Sequence, residues 1–298
     1  MQQKLVKPQW LRIKLTTTDN FSNIKNTLRE QGLHTVCEEA HCPNISECWN
    51  GGTATFMLMG DTCTRACKFC AVKTGNPMKK LDEQEPKKLA KALSSIKLFD
   101  YVVLTSVNRD DLEDGGASHF SQCVIEIKKA FPDIIVEVLI PDFKGDCESL
   151  RKVVDAKPEV IAHNIETVER LQRKIRDVRA NYRQSLNILE NVKKLNPKIY
   201  TKSSIMLGLG EQEEEVVKSM IDLRNINVDI ITIGQYLRPT DWHIAVSGYI
   251  PPQKFEYFRQ KALELGFLFC ASGPFVRSSY KAGELFVKNV INKQKIGN

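Results

Sequence analysis

Six of the nine cysteines fall between residues 37 and 70, in two groups of three. The second group, Cys63-Thr-Arg-Ala-Cys67-Lys-Phe-Cys70, has the spacing C-x3-C-x2-C. Three thiolates that close can wrap one metal centre. Thiolates are soft ligands and suit both zinc and iron–sulfur clusters. A structural zinc site wants four ligands, and no fourth stands beside this group. A cube of four irons held by three thiolates instead keeps one iron open to an exchangeable ligand. Phe69, next to the last thiol, would shield such a cluster. The first group, Cys37-x4-Cys42-x5-Cys48, again gathers three thiols and reads as the ligand set of a second cluster. His41 adjoins Cys42 and His34 precedes it, and both read as surface or supporting histidines. Cys123, Cys147 and Cys270 are scattered among apolar or helical stretches and read as small buried hydrophobes. The odd cysteine count argues against a disulfide framework.

Chemistry of this kind needs a scaffold that brings distant loops together. Apolar, β-branched runs at 55–59, 101–105, 134–139, 160–162, 199–207 and 230–234 read as strands. Amphipathic stretches at 86–96, 118–130, 147–154, 182–195, 213–225 and 253–265 read as helices. The alternation implies a parallel sheet covered by helices. Six such units fit an open, partial (β/α)6 barrel of the TIM type, whose site lies on the loops after the strands. The second thiol group follows the first strand, where that rule puts chemistry. The first group precedes it, on an N-terminal extension that must fold over the barrel mouth. The expected division is an extension over 1–52, the barrel over 53–270, and a C-terminal segment with a basic tail over 271–298.

Several polar groups follow strands. Thr105 and Ser106 precede Asn108-Arg109-Asp110-Asp111, and Gly115-Gly116 opens a helix. This is either a hydroxyl pair for a carboxylate or ribose, or a plain turn with a capped helix. Asn164 and Glu166 point the same way if their strand extends that far. Arg176 and Arg179 are the next groups able to meet a carboxylate. The Gly208-Leu-Gly210 turn lets backbone approach a ligand closely. Tyr236 and Arg238 either line a ligand or belong to core and rim.

Composition narrows the class without naming the reaction. The chain is 298 residues, 42% hydrophobic and 27% charged, which suits a folded soluble protein. No apolar stretch approaches the length of a transmembrane helix. Residues 1–15 lack the apolar core of a signal peptide, so a cytoplasmic protein is expected. A net charge of +7 fits either an acidic protein partner or simple solubility. Acidic residues interrupt the basic ones throughout, and no nucleic-acid module is read.

C-x3-C-x2-C with an aromatic before the last cysteine resembles the signature of the radical S-adenosylmethionine superfamily. The wider text resembles one family within it, the lipoyl synthases. The matching runs are CPNISECW at 42–49, GTATFMLMGDTCTRACKFCAVKTGNP at 52–77 and VVLTSVNRDDLEDGGASHF at 102–120. PDFKG at 141–145, HNIETVERL at 163–171, KSSIMLGLGE at 202–211 and GPFVRSSY at 273–280 follow. Three departures stand out: Asp177-Val178 where Pro-Gly or Pro-Gln is usual, Ser204 in place of glycine, and Gly248 before Tyr249 in place of arginine.

The resemblance implies two 4Fe–4S clusters. Cys63, Cys67 and Cys70 would hold the one that binds S-adenosylmethionine through its open iron and yields a 5′-deoxyadenosyl radical. Cys37, Cys42 and Cys48 would hold the auxiliary one, with a serine of the RSSY motif as its fourth ligand. Ser279 corresponds to that serine, with Ser278 as the alternative. Glu166 would hold ribose hydroxyls, Asn164 the adenosine and Arg176 a carboxylate, with Thr105 and Ser106 completing the cofactor contacts. The implied reaction inserts sulfur at C6 and C8 of an octanoyl group on a lysine. That lysine belongs to a lipoyl-carrier domain, the glycine cleavage H protein or the E2 component of a 2-oxoacid dehydrogenase. Further implied partners are a low-potential electron donor such as ferredoxin or flavodoxin, and an iron–sulfur carrier protein. The alternatives are a biotin-synthase-like or methylthiotransferase-like enzyme, which would share only the second thiol group, and a non-catalytic metal-binding interaction protein.

Overall fold

The computed structural model describes residues 6–12, 19–39, 42, 44–50, 55–78, 80–96 and 101–279. His41, the boundary at 52/53 and the basic tail from Tyr280 lie outside the described residues. The strands are β1 His34–Thr35, β2 Thr55–Leu58, β3 Thr62–Cys63, β4 Lys73–Thr74, β5 Tyr101–Ser106, β6 Ile135–Leu139, β7 Val160–Ala162, β8 Tyr200–Leu207, β9 Ile230–Gln235 and β10 Phe269–Gly273. The helices are α1 Asp19–Glu30, α2 Val36–Glu39, α3 Ile45–Asn50, α4 Glu85–Ile96, α5 Ala117–Ala130, α6 Cys147–Asp155, α7 Gln172–Ile175, α8 Tyr182–Leu195, α9 Glu213–Asn225 and α10 Pro252–Glu264.

Eight strands form one sheet in the order β1-β2-β5-β6-β7-β8-β9-β10. Every pairing from β2 to β10 is parallel, and β1 runs antiparallel to β2. No ladder joins β1 to β10 among the described residues, so the barrel stays open. Helices follow β2, β5, β6, β7, β8 and β9, which gives the six expected units. β10 adds a seventh parallel strand, in register from Phe269 beside Ile230 to Gly273 beside Gly234. Its five residues, FCASG, carry little of the β-branched signal that marks the other strands. It runs across the boundary drawn at 270/271.

Capping fixes where helices begin. Asp146 accepts from the Ser149 N–H at α6, and Asn181 from the Gln184 N–H at α8. Gln212 and Glu215 form a reciprocal capping box at α9. Asp114 accepts from the Gly116 and Ser118 N–H groups before α5. The turn after β5 is thus a capped helix start. Cys123 and Cys270 are buried as expected, but Cys147 is exposed, because it opens α6 on the solvent side.

Two apolar layers lie outside the sheet, one centred on α4, α5 and α6, the other on α8, α9 and α10. Inside the barrel, Tyr101, Val103, Ile135, Val160 and Ile230 plug the floor. Lys202 sits there too, 2.7 and 2.9 Å from the two Glu137 oxygens, and the Tyr101 hydroxyl donates to Glu137 at 2.5 Å. Both ion-pair partners are buried. Removing the ammonium would strand a carboxylate in a closed space, at a cost of about 3–5 kcal/mol. Lys202→Met should therefore lower unfolding free energy by that order in denaturant titration. Lys202→Met with Glu137→Gln should recover much of it, since no unpaired charge then remains.

Candidate iron–sulfur and cofactor site

At the end of β2 the chain turns through Met59 at φ +68° and Gly60 at φ +90°. The Met59 N–H donates to the Glu85 carboxylate at 3.0 Å, and Glu85 in turn meets His119 Nε2 at 2.5 Å. Gly116 has φ +87°, a conformation that favours glycine, and a side chain there would also push against the end of Met59. β3 then pairs in parallel with β4 and closes a short loop. That loop carries Cys63, Cys67 and Cys70.

Amide groups already point at two of the three sulfurs. Cys63 Sγ accepts from the N–H groups of Arg65 at 3.4 Å and Asn108 at 3.3 Å. Cys67 Sγ accepts from the Asp177 N–H at 3.3 Å. Hydrogen bonds to the sulfurs are among the groups that tune an iron–sulfur cluster. Burial raises the Cys67 thiol and pushes Cys70 up to about 12. In the first group, burial pushes Cys37 up to about 11 and also raises Cys42. Thiolates in such places need cationic charge beside them, which a bound metal centre supplies.

The spread of the thiols bears on what they hold. Thiolates around one zinc, with bonds of about 2.3 Å, stand roughly 3.8 Å apart. Among the described residues, the one set of three metal-binding side chains whose donor atoms all lie within 4.8 Å is Glu85, His119 and Cys123. Neither cysteine group brings all three sulfurs within that distance. The Glu85 set has one thiol, and its carboxylate already braces Met59, so it belongs to the scaffold of the loop.

Arg65 locks the loop in place. Its guanidinium, nearly fully buried, donates to Asp142 at 2.7 and 2.6 Å and to Asp110 at 2.9 Å twice. The Asp177 carboxylate accepts from the Ala66 N–H and pairs with Arg179, which also donates to Thr64 O. Arg179 is thus spent on the loop itself and does not wait for a ligand carboxylate. This lacing was missed in the sequence. Its one signal is an arginine between two cysteines together with acids in the loops after β5 and β6.

The expected cofactor residues gather beside the loop. Glu166 continues the line of β7: its N–H donates to Ser204 O, and its carbonyl accepts from the Met206 N–H. This extension puts Asn164 and Glu166 on one side, with Asn164 Nδ2 donating to Glu166 Oε1 at 3.1 Å. Glu166 has φ +65°, a left-handed conformation that costs a non-glycine residue and concentrates at functional sites. Burial raises its carboxyl, while Arg176 and Asn164 lower it. Asn164 Oδ1 and Ser106 Oγ are buried with no hydrogen-bond partner. Buried polar atoms are normally satisfied, so these two mark where a ligand would bond. Arg176 donates to Gln172 and Ser185, and its charge faces Glu166 and Cys67. The Thr105 hydroxyl donates to Leu139 O, so only its lone pair is open to a ligand.

Two expected contacts are engaged elsewhere. The N–H groups of Gly208 and Leu209 donate to Glu211, and a side chain at Gly208 would strike Gln235 and the Gly248 carbonyl. That glycine serves packing. The Tyr236 hydroxyl donates to Ile244 O and Arg238 donates to His243 O, so both hold the 240–244 loop as core and rim.

The first cysteine group lies against the end of the chain. The Cys42 N–H donates to Cys37 O at 3.0 Å, and the Cys48 N–H to Asn44 O at 2.9 Å. Asn44 Nδ2 donates to Phe275 O at 2.6 Å. Arg277, half-buried, donates to Val276 O, and its charge works against the rise that burial causes in the Cys42 thiol. Val276 O lies where a side chain at Gly234 would need to be, 2.0 Å away, so this segment crosses the end of β9 directly. Ser278 and Ser279 form the turn that follows, both half-buried.

Residues 57–223 match the family model of the radical S-adenosylmethionine superfamily, and residues 1–42 match that of the N-terminal domain of lipoyl synthase. The chain is 56% identical over 97% of its length to the lipoyl synthase of Halobacterium salinarum, covering 94% of that protein. The chain belongs to the lipoyl synthase family. It is 53% identical over 98% of its length to the mitochondrial lipoyl synthase of Bos taurus, covering 80% of it. It is 54% identical over 97% to the apicoplast lipoyl synthase of Plasmodium falciparum, covering 69% of it. Against the Plasmodium vivax apicoplast lipoyl synthase it spans 65% of the relative's length. The folds of methylornithine synthase (TM-score 0.54, 14% identity, covering 95% of this chain and 89% of that one) and of the FeFe-hydrogenase maturase HydG from Carboxydothermus hydrogenoformans (0.57, 13%, 92% and 78%) are similar. They show the radical S-adenosylmethionine partial barrel and nothing finer. Membership in this family makes the chain a radical S-adenosylmethionine enzyme of sulfur insertion.

Proposed function

We propose that this lipoyl synthase family member converts an octanoyl-lysine of a lipoyl-carrier domain to lipoyl-lysine, inserting sulfur at C6 and C8. In this reading Cys63, Cys67 and Cys70 hold a 4Fe–4S cluster, and Cys37, Cys42 and Cys48 with Ser279 hold the second, which serves as the sulfur substrate. The observation that carries the reading is the hydrogen bond from Asn44 to Phe275 O, which joins the stretch of the first cysteine group to the segment that leads into RSSY. A biotin-synthase-like or methylthiotransferase-like enzyme would share only the second cysteine group.

With S-adenosylmethionine bound, the cluster that Cys63, Cys67 and Cys70 would hold would supply a radical able to take hydrogen from an unactivated carbon, which no side-chain base can do. The protein's part is to bind, aim and shield. Asn164 Oδ1 and Ser106 Oγ are free to bond the cofactor, and Glu166 is held by Asn164 where ribose hydroxyls would meet it. Arg176 offers charge to the cofactor carboxylate. Phe69 packs on the α8–α10 core and keeps water from the loop. The domain reading follows the same lines: an auxiliary-cluster extension, a barrel, and a tail across its mouth.

Anaerobic incubation with an octanoylated carrier peptide, S-adenosylmethionine and dithionite should give a product with two more sulfurs and two fewer hydrogens by mass. An unchanged peptide alongside 5′-deoxyadenosine would leave a radical enzyme of another kind. Ser279 gives a sharper check. A serine oxygen is a harder ligand than thiolate, and Arg277 would favour its charged form. Ser279→Ala should keep most of the iron and still cleave S-adenosylmethionine, yet fall at least tenfold in dithiolane yield. Wild-type yield would remove Ser279 from the ligand set.

A further inference from the structure

One buried histidine, next to Asn164 in the chain, has no part in the reaction above. His163 continues β7, its N–H donating to Lys202 O. The partners of its ring fix its proton. Nδ1 lies 2.9 Å from Ile140 O, and Nε2 lies 3.0 Å from Ser185 Oγ on α8. A carbonyl oxygen can only accept, so Nδ1 carries the hydrogen. Burial pushes the imidazole down to about 4, and the charge of Arg176 adds to that, so the ring is neutral near neutral pH. Nε2 is then an acceptor, and the Ser185 hydroxyl spends its one hydrogen there. The serine lone pairs are left for Arg176, whose Nη1 donates to Ser185 Oγ at 2.8 Å and to Gln172 Oε1 at 3.0 Å.

Every acceptor in this chain of bonds is uncharged. Arg176 is itself buried, and a carboxylate in place of Ser185 would hold the guanidinium but cancel its charge. His163, Ser185 and Gln172 hold it and leave the charge whole. The charge is felt at the site: burial raises the Glu166 carboxyl and the Cys67 thiol, and in both Arg176 works the other way. The guanidinium is also held at one nitrogen only. Among the described residues nothing accepts from its Nε or Nη2. The group is a rigid planar fork, so two bonds on Nη1 settle where the remaining N–H groups point. The Asp177 N–H, next in the chain, bonds Cys67 Sγ, so this fork is rooted at the thiol loop.

We infer that His163 and Ser185 are positioning residues for S-adenosylmethionine: they turn Arg176, with its charge intact, toward the cofactor carboxylate and so set the affinity for it. The inference deepens the reading above that Arg176 meets that carboxylate, and rests on it. Neither residue touches the cofactor, and no proton or electron passes between them. Without the serine oxygen Arg176 keeps only Gln172, and its plane is free to turn.

The test is equilibrium binding to the cluster-loaded enzyme, with no reductant, of S-adenosylmethionine and of its decarboxylated form, which lacks the group Arg176 would meet. Ser185→Ala should weaken S-adenosylmethionine binding about tenfold, as for a lost hydrogen bond to a charged group, and leave the decarboxylated form bound as in wild type. His163→Asn keeps a donor for Ile140 O but offers Ser185 no acceptor, and should act like Ser185→Ala. Ser185→Thr keeps the hydroxyl and should bind S-adenosylmethionine as the wild type does. Added to Arg176→Gln, Ser185→Ala should cost nothing further, because its effect runs through the guanidinium. Wild-type affinity for S-adenosylmethionine in both Ser185→Ala and His163→Asn would overturn the proposal. So would equal loss of the two ligands, which would mean a merely structural role. Wild-type affinity in Arg176→Gln would overturn it together with the reading of Arg176. The sulfur-insertion reading fails separately, if the wild type binds and cleaves S-adenosylmethionine but yields no thiolated product.

Discussion

Replacing Cys63, Cys67 and Cys70 together with alanine should abolish 5′-deoxyadenosine formation and every product that depends on it. Two cubes of four irons amount to about eight irons per chain, and the variant should keep about four. The loss should be complete, because nothing else on the barrel can break a saturated C–H bond: it is far too weak an acid for Glu166 or any other base nearby. The fold should survive, since Arg65, Asp110 and Asp142 still anchor the loop when the thiols are gone. Iron analysis, circular dichroism and chromatography of the nucleoside read the three consequences separately. A variant that still cleaves S-adenosylmethionine would show that the radical begins elsewhere.

The complementary variant, Cys37, Cys42 and Cys48 to alanine, should divide the reaction. S-adenosylmethionine cleavage should stay within a few-fold of wild type, because Asn164, Glu166, Arg176 and the second thiol loop are untouched. Sulfur insertion should fall below detection, as the sulfur substrate has no seat. The octanoyl chain would lose a hydrogen atom at C6, and the carbon radical, with no sulfide to meet, would be quenched by an electron from dithionite and a proton from water, so deuterium from a substrate labelled at C6 should appear in 5′-deoxyadenosine while the peptide gains no sulfur mass. Thiolated product from this variant would defeat the donor role of the first group.

The barrel was legible because its strands and helices obey local rules. Val160–Ala162, Tyr182–Leu195 and Glu213–Asn225 form over the very residues expected, each a clear apolar or amphipathic run. β10 was not, because Cys-Ala-Ser-Gly has no strand signature and pairs only once β9 offers an edge. The thiols were legible from spacing alone. The groups that hold them were not: Arg65 meets Asp142 across 77 residues, and Asp177 meets Ala66 across 111. No local pattern encodes a partner that far away. Arg179 looked like a ligand group because a side chain's type says what it can bond and not what it already bonds. Glu166 was legible as a carboxylate after a strand, but its left-handed backbone was not, since that conformation is imposed by the β8 ladder on either side.

The hydrogen bond from Asn44 to Phe275 joins residues 231 positions apart. During synthesis at about 5–20 residues per second, roughly ten to fifty seconds separate their appearance. Cys37, Cys42 and Cys48 therefore leave the ribosome with nothing to close over them, while the loop at 63–70 has its partners Asp177 and His243 before Phe275 is made. The two groups mature in order, the radical loop first and the sulfur seat last. A chain cut short near its end would then be folded and iron-bearing, able to consume S-adenosylmethionine, yet unable to finish a product.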